Sequence, residues 1–315
     1  MVASGLWRPG LHAGGSMRHR LGMSSLQPST AAPARARVYR QDGPTVAWEI
    51  ALRPPAPPLR PYCREYTGYR ERCAGPSLRR EIGAARVVFI IELGTPVRVS
   101  GPRRGGVRSF PGGFVAGLHD GFAQVAHDGE QSGVQIDLSP VGARLLFGVP
   151  LNELTGDVVS LLDLVPDLRD LADRMRDVPS WDARFDLLDR ELCRRLLRPT
   201  PHGRAVDAAV SAIERAGGLI EVGAVARALG YSERHVGRLF REHVGVAPKR
   251  FARLVRLQRL IDAISGAPPS SWAELAVDLG FYDQSHLARE VRDLAGMTPT
   301  ELLAERGDMP EALAG

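Results

Sequence analysis

The sequence predicts an α+β protein with a β-rich, barrel-like N-terminal region, a helical connector and an all-helical C-terminal region. Three observations carry that prediction. Apolar residues fall at alternate positions up to about residue 138 and follow a helical period beyond it. Two prolines and a glycine in Arg198-Pro199-Thr200-Pro201-His202-Gly203 then break the helical half, stiffening the chain where a linker belongs. Beyond this break, one apolar-glycine-aromatic pattern occurs twice. The expected organisation is an extension at 1–36, a β-rich domain at 37–165, a helical connector and linker at 166–202, a second domain at 203–306 and a tail at 307–315.

A chain of 315 residues has room for two domains, each burying its own core. Apolar residues at 44% and charged residues at 24% are ordinary for a globular protein. No apolar run reaches the ~18 residues of a membrane span, so no membrane partner is expected. The first 35 residues are rich in Gly, Ser, Ala, Pro and Arg and lack the apolar core of a signal peptide. They read as a disordered extension, with Met17 and Met23 as alternative starts. Three unevenly placed cysteines, Cys63, Cys73 and Cys193, suit a reducing cytoplasm better than a disulfide framework. Lys249 stands alone against 40 arginines, a bias of the kind a GC-rich bacterial genome imposes.

The elements follow in order. Val87-Val88-Phe89-Ile90-Ile91 is a short apolar run between turn signals, and Val97, Val99, Val134, Ile136 and Leu138 alternate as in half-buried strands. Gly101-Pro102-Arg103-Arg104-Gly105-Gly106 and Pro111-Gly112-Gly113 punctuate these runs, so a barrel or sandwich of short strands is expected. Pro54-Pro55-Ala56-Pro57-Pro58 excludes a central strand there. Pro140 opens a predicted helix to Phe147, and Leu151, Leu154, Val158, Leu161 and Leu164 also fall near helical spacing. A further helix over Trp181–Leu197 carries Phe185, Leu188, Leu192 and Leu196 on one stripe. This connector is also where a dimer contact is expected.

In the C-terminal half, Val225-Ala226-Arg227-Ala228-Leu229-Gly230-Tyr231 returns as Leu275-Ala276-Val277-Asp278-Leu279-Gly280-Phe281. The copies run on through Gly245 and Gly296 to Pro248 and Pro299, the second with one extra residue near its turn. Each copy reads as a short helix, a turn and a second helix. That is the layout of a helix-turn-helix, whose second helix enters the DNA major groove. Ser232 and Asp283 are the expected N-caps of the second helices. Val236, Leu239 and Phe240 should pack inward in the first, and Leu287, Val291 and Leu294 in the second. Arg234, Gly237, Arg238 and Arg241 then face outward, as do Gln284, Ser285, Ala288, Arg289 and Arg292. Arginine suits bidentate contact with guanine or phosphate, and Gln284 suits adenine or a phosphate. A merely solvated helix face is the structural alternative, and His235 reads as a packing residue.

The net charge of +5 is unevenly spread. Residues 1–110 hold 18 arginines against six acids, 111–202 hold nine against 15, and the remainder 14 basic residues against 15 acids. The overall basic excess is therefore no argument for nucleic acid. Locally, eight basic residues face two acids between Glu233 and Leu260, whereas three face eight between Ile261 and Arg306. The first copy should thus dominate any phosphate contact.

Residues 203–305 resemble the DNA-binding domain of AraC/XylS-type transcriptional regulators. The matching stretches are Ala226-Arg227-Ala228-Leu229-Gly230-Tyr231-Ser232-Glu233-Arg234-His235 with Arg238-Leu239-Phe240, then Gly245-Val246-Ala247-Pro248 and Arg256-Leu257. The second copy adds Leu279-Gly280-Phe281-Tyr282-Asp283-Gln284-Ser285-His286-Leu287 with Arg289, and Gly296-Met297-Thr298-Pro299. The resemblance implies two helix-turn-helix units joined by a long helix at about Pro248–Ser265, reading major-groove segments about one turn apart. Carried over position by position, Arg234, Gly237, Arg238, Gln284, Ser285, Ala288 and Arg289 face the groove. Two departures stand out. Gly237 offers no side chain where the family usually has a polar one, and Glu290-Val291 replaces a polar-Phe pair, putting an acid near the groove. The implied protein is a cytoplasmic regulator of transcription that binds double-stranded DNA, with a small-molecule effector, RNA polymerase and a second copy of the chain as further partners. The N-terminal region resembles, more loosely, the β-rich sensor domains that precede this module.

Rival readings concern the N-terminal half. His119, Asp120, His127, Asp128 and Glu130 are dense in potential ligands but lack metal-pair spacing, so they read as loop residues and neither metal nor cofactor is expected. Cys63 or Cys73, near Arg64, Arg70 and Arg72, could serve a thiol-based sensor or a DNA-targeted repair enzyme. No catalytic motif stands out, so an enzyme is not expected.

Overall fold

The chain enters a hairpin of β1 (Arg37–Asp42) and β2 (Val46–Arg53), with alternate residues Val46, Trp48, Ile50 and Leu52 buried. The computed structural model describes residues 35–101, 106–119, 121–196, 204–264 and 268–307. Nearly all of the expected extension, the proline-rich segment at 198–203, Asp120 and residues 308–315 lie outside the described residues. Pro54 ends β2, and Pro57 and Pro58 open a single 3₁₀ turn at Pro57–Leu59, where their missing N–H groups leave no bond unmade. Strands β3 (Cys63–Cys73), β4 (Ser77–Ile82), β5 (Val87–Glu92), β6 (Arg98–Ser100), β7 (Arg108–Ser109), β8 (Gly113–Ala116), β9 (Phe122–His127) and β10 (Glu130–Leu138) follow. Helix α1 (Pro140–Phe147) opens on proline as predicted, capped by the Ser139 hydroxyl on Gly142 N and closed by left-handed Gly148.

The strands form two antiparallel sheets rather than a closed barrel. One runs β1-β2-β3-β10-β5-β8-β11, where β11 is Val158–Ser160, and the other β4-β9-β6-β7. The sheets face each other. Tyr69, Ile90, Phe114 and Val158 from the larger meet Val99 and Ala123 of the smaller, with Val97 just before β6, in one apolar cluster.

The predicted helical stripe from Leu151 to Leu164 is corrected by the structure. That stretch is a 3₁₀ turn at Leu151–Glu153, strand β11 and the short helix α2 (Leu161–Leu164). Gly156 at φ 71° turns the chain out of helix, and the Asp157 carboxylate takes the Val158 N–H and the Arg108 guanidinium. The apolar side chains are buried all the same, because Val158 fills a place in the larger sheet. Tertiary pairing overrode the local period here.

Helices α3 (Leu168–Asp177) and α4 (Trp181–Leu196) cover the larger sheet. Trp181 and Phe185 stack at 6.0 Å, and Tyr66 lies 5.6 Å from Phe185. Arg53, 2% exposed, reaches Asp186 at 2.6 Å and Asp189 at 2.5 Å, so one strand and α4 share a buried ion pair. Gly68 lets the indole lie on the strand, since a Cβ there would stand 2.3 Å from Trp181. Gly68→Ala should therefore destabilise the chain by about 1–3 kcal/mol through overpacking. Urea unfolding checks it, and an unchanged midpoint would refute this account of the packing.

The C-terminal half is helical: α5 (Arg204–Arg215), α6 (Val222–Ala228), α7 (Glu233–His243), α8 (Pro248–Ile264), α9 (Trp272–Asp278), α10 (Gln284–Ala295) and α11 (Pro299–Gly307). One apolar cluster runs from the larger sheet through α4 into α5, α8 and α10.

Candidate functional site

The duplicated motif is built twice by the same backbone device. Gly230 and Gly280, at φ 72° and 78°, take the left-handed conformation that ends α6 and α9. The next residue then reaches back, Tyr231 N to Ala226 O at 3.0 Å and Phe281 N to Ala276 O at 2.8 Å. These are the helix-closing bonds for which glycine followed by an apolar residue is suited. Ser232 caps α7 on His235 N at 3.2 Å, and Asp283 caps α10 on His286 N at 2.6 Å, as the sequence predicted. The extra residue of the second copy is Tyr282, 88% exposed between the glycine and the cap.

Both second helices bury the predicted face. Val236 and Phe240 are buried in α7, with Leu239 half-buried; Leu287, Val291 and Leu294 are buried in α10. On α7, Arg234, Arg238 and Arg241 are exposed and Gly237 is half-buried. On α10, Gln284, Ser285 and Arg289 are exposed and Ala288 is half-buried. Arg238 meets His235 Nδ1 at 3.5 Å, Arg241 donates to Gly237 O at 3.4 Å, and Arg289 donates to Ser285 O at 3.3 Å. His235 packs its ring on Tyr231 at 4.6 Å, in keeping with a packing role.

Glu290 is not an acid near a groove. It is 7% exposed and holds Arg253 at 2.5 Å and Arg256 at 2.9 Å, while Arg253 also reaches Asp293 at 3.2 Å. These bonds tie α10 to the linking helix α8, and Arg256 also lies over Phe281 at 5.6 Å. The positive excess read along the first motif and the negative excess of the second therefore cancel in part against each other. Helix α8 spans Pro248–Ile264, as the resemblance implied.

A second feature lies between the two sheets. A cleft of about 690 Å³, its open mouth included, has apolar walls from Ile82, Val88, Ile90, Val97, Val99 and Phe114. Its polar groups include Arg79, Arg86, His119 and Gln135. A concave, mostly apolar space with a few polar groups is the usual form of a small-molecule site. Arg86 also leaves the cleft to reach Glu214 of α5 at 2.7 Å. Further bonds cross between the β-rich and helical halves. Thr155 Oγ1 donates to Gly245 O at 2.8 Å just beyond α7, and Arg64 pairs with Asp262 at 3.7 Å. Beyond α10, a Cβ on Gly296 would stand 2.7 Å from the Phe122 ring. The β-rich half thus touches the C-terminal ends of both exposed helices and leaves their N-terminal ends open.

Of the cluster read as loop residues, His119 and Asp128 do lie between strands, whereas His127 and Glu130 belong to β9 and β10. His127 is the last residue of β9 and 2% exposed, and Asp128 pairs with Arg98. His119 is buried beside Gly121 O at 3.0 Å. The thiols are not activated as the neighbouring arginines suggested. Burial pushes the Cys63 thiol well above its ordinary range, and burial with Glu71 pushes Cys73 up to about 11. Arg64 is spent on Asp262, while Arg70 and Arg72 project to solvent from β3. Protonated thiols are poor nucleophiles, so the repair reading loses its physical basis.

Residues 225–305 match a family model described as a helix-turn-helix domain. Nothing among curated proteins matches the chain. Among solved structures, the chain is similar to a probable AraC family transcriptional regulator from Rhodopseudomonas palustris, 31% identical over 33% of this chain and 98% of that one, with a TM-score of 0.30. It is also similar to a transcriptional regulator with an AraC-type DNA-binding domain from Chromobacterium violaceum, 25% identical over 32% and 91%, with a TM-score of 0.30. ToxT from Vibrio cholerae aligns over 73% of this chain and 98% of its own, at 10% identity and a TM-score of 0.45.

Proposed function

Because the chain belongs to the AraC family of DNA-binding transcriptional regulators, we propose that it reads a specific DNA site with α7 and α10 under the control of a small molecule held between its two sheets. In this reading Arg234, Arg238 and Arg241 approach the groove from α7, and Gln284, Ser285 and Arg289 from α10. Gly237 and Ala288 allow close approach of backbone and base edge. Helix α8 sets the separation, about one turn of DNA or ~34 Å.

The observation that carries the control element is Arg86, which lines the cleft and pairs with Glu214 of the helical half. A ligand with an apolar body and an anionic end would compete with Glu214 for that guanidinium. It shifts the arrangement of the two halves only by as much as it binds one arrangement better than the other.

Glu214→Gln should mimic that competition, changing DNA affinity severalfold without any ligand. The exchanged pair Arg86→Glu with Glu214→Arg should restore it. Measurement of DNA affinity in the full chain decides the matter: if Glu214→Gln binds like the parent, the pair does not couple cleft to helices. The cleft itself is tested by a thermal-shift screen of small organic acids and alcohols. Any stabilising compound should lose its effect in Val99→Trp, and one that keeps it binds elsewhere.

A further inference from the structure

We propose that Glu71, Cys73 and His127 form a binding site for a thiophilic divalent cation of the zinc class, whose place is held in this structure by the guanidinium of Arg79. The site lies where the two sheets meet. Glu71 and Cys73, two residues apart on β3, project from the same face. His127 ends β9, and the turn at Asp128-Gly129 leads into β10, whose Gln131 pairs in register with Glu71. Cys73 N donates to Gly129 O at 2.7 Å, which fixes the strand end against that turn.

The donor atoms all lie within 4.8 Å of one another, the one such group of three among the described residues. His127 Nε2 is 3.6 Å from Glu71 Oε2, and Cys73 Sγ is 3.4 Å from Glu71 Oε1. Ligand atoms around a tetrahedral zinc stand about 3.4–3.8 Å apart, given metal–ligand bonds of about 2.0–2.3 Å. One thiol, one imidazole and one carboxylate with a fourth position for water is a donor set that zinc accepts.

The imidazole is already in the tautomer a metal needs. Arg79 Nη2 lies 3.1 Å from His127 Nε2, and a guanidinium only donates, so Nε2 carries its lone pair toward the cluster. The proton is then on Nδ1, which is buried without a hydrogen-bond partner among the described residues. Arg79 bonds both Glu71 and His127, so a positive group already sits between the ligands as a metal ion would. Arg79 lines the cleft as well, and that space can receive its side chain when a cation arrives. Cys73 is half-exposed and gives the route in from solvent. Its thiol ligates as thiolate, so binding releases the thiol proton to bulk water and strengthens as pH rises.

Cobalt(II) titration of the full chain tests the proposal, with zinc competition as a second readout. Expected are a thiolate-to-cobalt charge-transfer band and the visible bands of a four-coordinate ion, both abolished by added zinc. Cys73→Ser should remove the charge-transfer band. His127→Ala should weaken binding at least about tenfold, and Arg79→Gln should tighten it. Circular dichroism verifies that each variant is folded. No binding to the parent chain overturns the proposal. So does binding that survives both ligand substitutions, which would be an adventitious ion only, or an Arg79→Gln affinity equal to the parent's.

Discussion

Arg238→Ala is expected to lower affinity for the selected DNA site by about 1–3 kcal/mol, roughly five- to 150-fold, and to relax preference at one base position. The side chain is exposed on α7, and its hydrogen bond among the described residues is to His235 at 3.5 Å. An intrahelical pair with Glu242 one turn away would be the rival explanation, but among the described residues Glu242 pairs with His243 at 3.8 Å. Among the described residues, no acid thus holds Arg238 back from DNA. Titrations at several salt concentrations separate two roles. Loss of a phosphate contact flattens the log–log salt slope by about 0.9 and weakens all sequences alike. Loss of a base contact leaves the slope nearly intact and erases discrimination. A variant that binds and discriminates like the parent would remove Arg238 from the interface. Arg289→Ala should cost a comparable amount. Of the acids on α10, Glu290 is turned inward onto Arg253 and Arg256, and the exposed Asp293 is paired with Arg253.

Glu290→Ala should destabilise the chain by about 3 kcal/mol, the lower end for breaking a buried ion pair, because Arg253 is one-third exposed. Removing the carboxylate leaves two guanidinium groups facing each other at the joint between α8 and α10. The loss should therefore reach beyond stability, freeing the second motif from the first and weakening DNA binding even where the chain is folded. Glu290→Gln keeps an acceptor for one arginine and should retain part of both. Urea unfolding and DNA titration of the two variants give the comparison. A cost below about 1 kcal/mol for Glu290→Ala would mean that apolar contacts of Leu287 and Val291 alone hold α10 in place.

The features legible in the sequence were those set by neighbours along the chain. Ser232, Asp283, Gly230 and Gly280 act through backbone groups a few residues away, so type and spacing announce them. The alternation at Val134, Ile136 and Leu138 likewise marked the face of β10 that joins the main apolar core, although Gln131, Gly133 and Gln135 on its other face are buried too. What the sequence hid depends on groups distant along the chain. Glu290 looked like an exposed acid because its arginines come from another helix. Val158 looked helical because its sheet partner, β8, lies far upstream. His127 looked like a loop residue until β9 carried it against Glu71 and Cys73 of the opposite sheet. The alternation of exposed and buried residues along β3 was a usable signal for the last case, since it places Glu71 on the inner face.

The account rests on two DNA-reading helices held at fixed separation by α8. Its most direct test is selection of a binding site from random DNA by the full chain, followed by hydroxyl-radical footprinting. Two protected segments should appear on one face of the duplex, their centres about 10–10.5 base pairs apart. Arg238→Ala should weaken one segment and Arg289→Ala the other. A single protected segment, or no site recovered above non-specific binding, would contradict it.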